Sequence, residues 1–366
     1  VLTSHVQHGH RRRLAAPTEW HVKWVQRGVR ARLCRTAALA LASAVLAGCG
    51  GGSGDSEDGS APAAPASVER EIAPADTDAA IVNTAATGHI AINPEPAAVA
   101  RGRLFVFLPG TGATPAQYRD VLRAGARRGY HAIGLQYPNS RSVASLCNAS
   151  TAPDCHGPVR REVALGEDLS TLVDVDAANA IVNRLRKALA YLHAQSPAQG
   201  WDRFLVAGEP DWRLVTVAGH SQGAGHSAYM AKLFALDRAV YFSGPSDWRE
   251  AAGQTATWLT ALAPATPASR QYGFTHTDDT LVSVSVVTAN WRALGLGAFG
   301  EAVNVDAVAA PWNGGHSLLT SAPPNANPTG ITLAPTHGAP VADAPTPRAA
   351  DGTPVYSEVW SVLCFP

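Results

Sequence analysis

Residues 214–236 read LVTVAGHSQGAGHSAYMAKLFAL, and the change of pattern inside this stretch decides the fold. The first part, LVTVAG, is a short apolar run rich in β-branched residues, the composition of a buried strand. From Gly223 onward, small and helix-favouring residues predict a helix over 223–236. Between them lies Gly219-His220-Ser221-Gln222-Gly223, a GxSxG pentapeptide. The string alone is weak evidence, but a strand handing over directly to a helix holds the central serine in a strained turn. Neighbours bearing a Cβ would collide there, which explains both glycines, and the helix N-terminus behind the turn favours developing negative charge. Ser221 is therefore the candidate nucleophile, against the plainer reading of a glycine-rich turn with a solvated serine.

Working outward, RLFVFLPG (103–110) and HAIGLQYP (131–138) read as buried strands on either side of a helical segment at 115–129, which makes a βαβ unit. Ile181, Leu185, Leu189 and Leu192 recur at spacings of three and four within 174–195, an amphipathic helix. Downstream, 239–245 and 268–276 read as strands, 281–294 as a helix, AVNVDAV (302–308) as the last strand and 355–365 as a closing helix. The Pro-rich stretch 322–354 reads as an extended surface loop. Strands alternating with helices imply an α/β fold, a mostly parallel sheet with helices on both faces.

The chain has 366 residues, 46% of them hydrophobic, enough for a sizeable core, so global disorder is excluded. Its 29 basic and 29 acidic residues balance, but unevenly along the chain. Residues 1–48 hold eight basic residues and one acid, leaving 21 basic against 28 acidic residues and a net charge of −7 for the remainder. An acidic body argues against nucleic acid as the main partner.

The basic residues precede TAALALASAVLAG (36–48), too short and small for a membrane-spanning helix but laid out like a signal peptide. Leu46-Ala47-Gly48-Cys49 at its end resembles a bacterial lipobox, which implies acylation of the Cys49 thiol. Residues 1–48 are thus expected to be an upstream extension plus signal peptide, 49–68 a lipidated cysteine and Gly/Ser/Pro-rich tether, and 69–366 a single domain. The expected location is the cell envelope, anchored by lipid, with Gly50 pointing to the outer membrane; a freely secreted protein is the alternative. In an oxidising compartment Cys147 and Cys155, at the ends of CNASTAPDC, are expected to form a disulfide, leaving Cys364 buried in the last helix.

With GHSQG, the LPGTG at 108–112, and acid and histidine following in the order Ser, Asp, His, the sequence resembles the α/β-hydrolase superfamily over most of 100–366. The resemblance implies an oxyanion hole from the Thr111 and Gln222 amides, although Pro109 stands where that superfamily often has histidine. It places the triad acid after the 268–276 strand, with Asp279 preferred over Asp278. The base should follow the acid and a last strand. His316, behind Gly314 and Gly315 and close to AVNVDAV, is preferred; His337 is the alternative. No HExxH, CxxC, dinucleotide or P-loop fingerprint is present, so neither metal nor cofactor is expected. The expected activity is hydrolysis of a carboxylic ester through an acyl-enzyme on Ser221. A peptidase or acyltransferase would use the same residues, and a non-catalytic binding lipoprotein is the reading from a different class.

Overall fold

The computed structural model describes residues 68–326, 328 and 334–366. The signal segment, Cys49 and nearly all of the tether lie outside the described residues. Nine strands form one sheet: β1 (Glu69–Ile72), β2 (His89–Ile92), β3 (Leu104–Leu108), β4 (His131–Gly134), β5 (Val215–His220), β6 (Arg238–Phe242), β7 (Gln271–His276), β8 (Val303–Asn304) and β9 (Ser317–Thr320). Their spatial order is β1-β2-β4-β3-β5-β6-β7-β9-β8; the β1–β2 and β2–β4 pairings at one edge are antiparallel and the other six are parallel. The fold is α/β, and the strand order resembles that of α/β-hydrolases.

Both faces are covered, as a parallel sheet requires. Along β3 every residue is buried, but successive side chains point to opposite faces. Leu104, Val106 and Leu108 join one apolar cluster, and Phe105 and Phe107 the other. Among the helices, α1 (Arg119–Arg127) and α7 (Ser357–Cys364) cover the phenylalanine face. On the opposite face lie α4 (Ile181–Gln195) and α5 (Gln222–Leu233), with Val287 and Trp291 of α6 (Val284–Ala293). Two more, α2 (Val143–Asn148) and α3 (His156–Leu165), are joined by the Cys147–Cys155 disulfide, and Cys364 is buried in α7.

Three sequence expectations need correction. The expected 302–308 strand shrinks to the two-residue edge strand β8, and the strand inside it is SLLT at 317–320, which lacks the length of an obvious apolar run. The 174–195 helix begins only at Ile181. The Pro-rich stretch is no surface loop: His337, Val341 and Thr346 within it are buried. A loop enters the interior when it carries anchoring side chains. Here the Asp343 carboxylate accepts the Arg119 and Asp120 amides at the start of α1.

Candidate active site

Ser221 sits between the end of β5 and the start of α5 with φ 54° and ψ −115°, a conformation that costs a non-glycine residue on the order of 1–3 kcal/mol. Its amide donates to the Phe242 carbonyl at 2.8 Å, tying the turn to β6. Close packing accounts for the flanking glycines. A Cβ on Gly219 would lie 2.3 Å from the Gly223 backbone, and one on Gly223 would lie 2.0 Å from the Leu108 carbonyl oxygen.

Asp279 follows β7, and its side chain is fully buried. One carboxylate oxygen accepts the Leu281 and Val282 amides at 2.9 and 3.0 Å; the other lies 2.7 Å from Nδ1 of His337. Burial alone would raise this carboxyl's pKa, but the His337 hydrogen bond and charge and the two amides outweigh it and hold it below the ordinary value. Asp278 is exposed, and its amide donates to His276 Nδ1. Between the two aspartates, the geometry therefore pairs Asp279 with a histidine.

His337, on the short helix Pro335–Gly338, is that histidine. The preference for His316 is corrected. His316 immediately precedes β9, whose register places Ser317 opposite Gly273 near the start of β7. Because β5, β6, β7 and β9 run parallel, His316 lies at the edge where the strands begin, whereas Ser221 lies where β5 ends. Its ring is stacked between Tyr272 and Phe299, with Nδ1 2.9 Å from the Gln271 carbonyl.

The 108–112 loop curls over the serine. Tyr137 donates to the Pro109 carbonyl, Asn139 donates to the Gly110 and Ala113 carbonyls, and the Gly112 amide donates to the Asn139 carbonyl. Thr111 and Gln222 come together: the Thr111 hydroxyl donates to Gln222 Oε1 at 2.9 Å, and the Val143 amide donates to the same oxygen. Neither the Thr111 nor the Gln222 amide has an acceptor among the described residues.

No family model and no curated protein matches the chain.

Ser221, His337, Gly110 and Thr111 line one cleft of about 500 Å³. Leu281, Val282 and Val286 contribute apolar surface, Ser142, Ser145 and Asn148 bring hydroxyl and amide groups, and Trp248 and Glu250 come from the connection after β6. Trp248 lines the cleft, while Trp258 and Trp312 are buried.

Sequence reasoning missed the supports beneath the site. Arg160 of α3 is fully buried and pairs with the equally buried Asp247, Nε to Oδ2 at 2.7 Å. The same guanidinium donates through Nη1 to the Gln222 carbonyl at 3.1 Å, in the first turn of α5. Burial works to raise the Asp247 carboxyl, and Arg160 overcomes it, drawing the pKa down to about 2. Nothing in the sequence signalled this pair, since its members stand 87 residues apart. Tyr118 and His220 carry no local sequence signal either.

Proposed function

We propose that the protein is a serine hydrolase of the α/β-hydrolase type that cleaves a carboxylic ester. The observation that carries this reading is the buried His337–Asp279 pair, in which His337 lines the same cleft as a serine held at positive φ between a strand and a helix. With Nδ1–H donated to Asp279, the imidazole presents an unprotonated Nε2 as base. Ser221 Oγ attacks the ester carbonyl carbon as its proton passes to His337. The carbonyl oxygen takes the electron pair and is stabilised by the Thr111 and Gln222 amides, on the order of 3 kcal/mol for each donor. Collapse of the tetrahedral intermediate breaks the C–O bond, and His337 returns the proton to the departing alcohol. Water, deprotonated by His337, then releases the acid from Ser221.

Glu250 is the one carboxylate, and no Lys or Arg is present, among the residues lining the cleft. Such a lining suits a neutral ester whose acyl part packs against Leu281, Val282 and Val286. Labelling of the folded protein by a fluorophosphonate, blocked in Ser221→Ala, together with turnover across p-nitrophenyl esters of rising chain length, tests the reading. A wild-type protein that neither labels nor turns over any ester would refute it. We further propose export and lipid anchoring through Cys49; equal palmitate incorporation by the wild type and Cys49→Ser would refute that.

A further inference from the structure

Three distant segments meet behind the cleft through one chain of hydrogen bonds. The Gly110 amide, in the oxyanion loop, donates to the Tyr118 hydroxyl oxygen at 3.3 Å. That hydroxyl lies 2.9 Å from Nδ1 of His220, the residue before the nucleophile. His220 Nε2 lies 3.0 Å from the backbone carbonyl of His337, which also accepts the Ser243 hydroxyl at 2.7 Å. The rings of His220 and His337 are 4.7 Å apart.

The direction of each bond follows from donor chemistry. A carbonyl only accepts, so His220 Nε2 carries hydrogen. Burial, with His337 beside it, presses the His220 pKa down to about 3, so the ring is neutral and its Nδ1 is an acceptor. Tyr118 must then donate to Nδ1 while its oxygen accepts from Gly110. One tautomer satisfies every group. A ring carrying its hydrogen on Nδ1 would instead point a lone pair at the His337 carbonyl.

We propose that Tyr118 and His220 are positioning residues: a directed relay, Gly110 N–H to Tyr118 to His220 to the His337 carbonyl, that fixes the base-bearing turn against the oxyanion loop and the nucleophile. Its catalytic consequence rests on the reading of Ser221, His337 and Asp279 as a triad; its bonding does not. The relay touches the backbone of His337 and leaves the imidazole to Asp279 and the substrate. It therefore sets where the base stands rather than how basic it is. A loop residue needs such a fixture, because displacement of a reacting group by about 1 Å can cost on the order of a hundredfold in rate.

The test uses the full chain with ¹⁵N-labelled histidine, Tyr118→Phe, His220→Leu, His220→Gln and the Tyr118→Phe/His220→Leu double variant. NMR is expected to show His220 as the neutral Nε2–H tautomer from pH 5 to 8 in the wild type and also in Tyr118→Phe, where the His337 carbonyl still accepts from Nε2, with the Nδ1 resonance shifted by loss of the Tyr118 donor. For p-nitrophenyl butyrate, Tyr118→Phe should lower kcat about tenfold with KM changed less than about twofold. The double variant should be no slower than His220→Leu, because Tyr118 acts through His220. His220→Gln, whose amide still reaches a carbonyl acceptor, should recover part of the His220→Leu loss. An Nδ1–H tautomer in the wild type, an unchanged kcat in Tyr118→Phe, or losses that multiply in the double variant would each overturn the proposal. A wild type with the expected tautomer but no esterase activity would overturn the hydrolase reading and the relay's catalytic role, leaving the bonding intact.

Discussion

Nδ1 of His337 stands 2.7 Å from Oδ2 of Asp279, although 58 residues separate the two in sequence. His316 lies nearer to Asp279 in the chain, yet sits at the other edge of the sheet. If the pair is the working half of a triad, His337→Ala should fall to the residual activity of Ser221→Ala, several orders of magnitude below wild type. His316→Ala should lose less than about tenfold in kcat/KM, about 1.4 kcal/mol of barrier. Ester hydrolysis by variants with intact folds checks this, and the opposite ranking would remove His337 from the site.

A second outcome concerns the buried ion pair beneath α5. Arg160→Met leaves the Asp247 carboxylate buried, with the Trp258 indole N–H still donating to it but without its counter-charge. An uncompensated buried charge costs about 3–5 kcal/mol, so urea unfolding should show a loss of that size. Adding Asp247→Asn should recover part of it, because the stranded charge goes. A single-variant loss below about 1 kcal/mol would mean that water reaches the pair.

The disulfide closes a short loop, with a sequence separation of eight between its cysteines. Chain-entropy arguments give it a modest contribution, about 2–3 kcal/mol. Cys147→Ser/Cys155→Ser should lower the unfolding free energy by that amount. Alkylation without reductant should leave both native cysteines unmodified, with Cys364 reacting only after denaturation, since it is buried. Ready alkylation of Cys147 and Cys155 in the untreated protein would rule out the bridge.

Asp343, which caps α1 and belongs to the segment carrying His337, gives a pH signature. Burial, reinforced by the neighbouring Asp120, raises its pKa to about 6, against the lowering effect of the two capping amides and Arg348. A carboxyl that holds its proton more tightly when folded contributes most stability at low pH and loses it as pH rises from about 4 to about 6. The lowered carboxyls Asp247 and Asp279 act in the opposite sense, so the comparison must be made with Asp343→Asn. The melting temperature of the wild type minus that of Asp343→Asn should decline between pH 4 and pH 6.5. A difference that grows over that interval would contradict the raised value.

Much of the fold was legible from residues 100 to 300. Strands β3, β4, β5, β6 and β7 are short apolar runs next to amphipathic or small-residue helices, and local periodicity reports such segments directly. The strands towards the two edges of the sheet were not. In β1 the residues Glu69, Arg70 and Glu71 are polar, and β9 has four residues, so neither has the apolar length that marks a strand. Misplacing the last strand is what favoured His316 over His337 as the candidate base. Taking 302–308 as that strand put His316 just beyond it, on the side expected of a triad histidine. With the strand at 317–320 the same residue falls at its beginning.

The sequence by itself determined the α/β class and the position of Ser221, because a strand-to-helix turn with two obligatory close approaches leaves its mark on adjacent residues. It also determined the Cys147–Cys155 partnership, which depends on a separation of eight residues. Only the tertiary structure decided between Asp278 and Asp279, chose His337 over His316, and disclosed the Arg160–Asp247 and Tyr118–His220 contacts. Each of these joins side chains from segments far apart in the chain. Such pairings are set by how layers stack and where a loop is anchored, and no local periodicity encodes them.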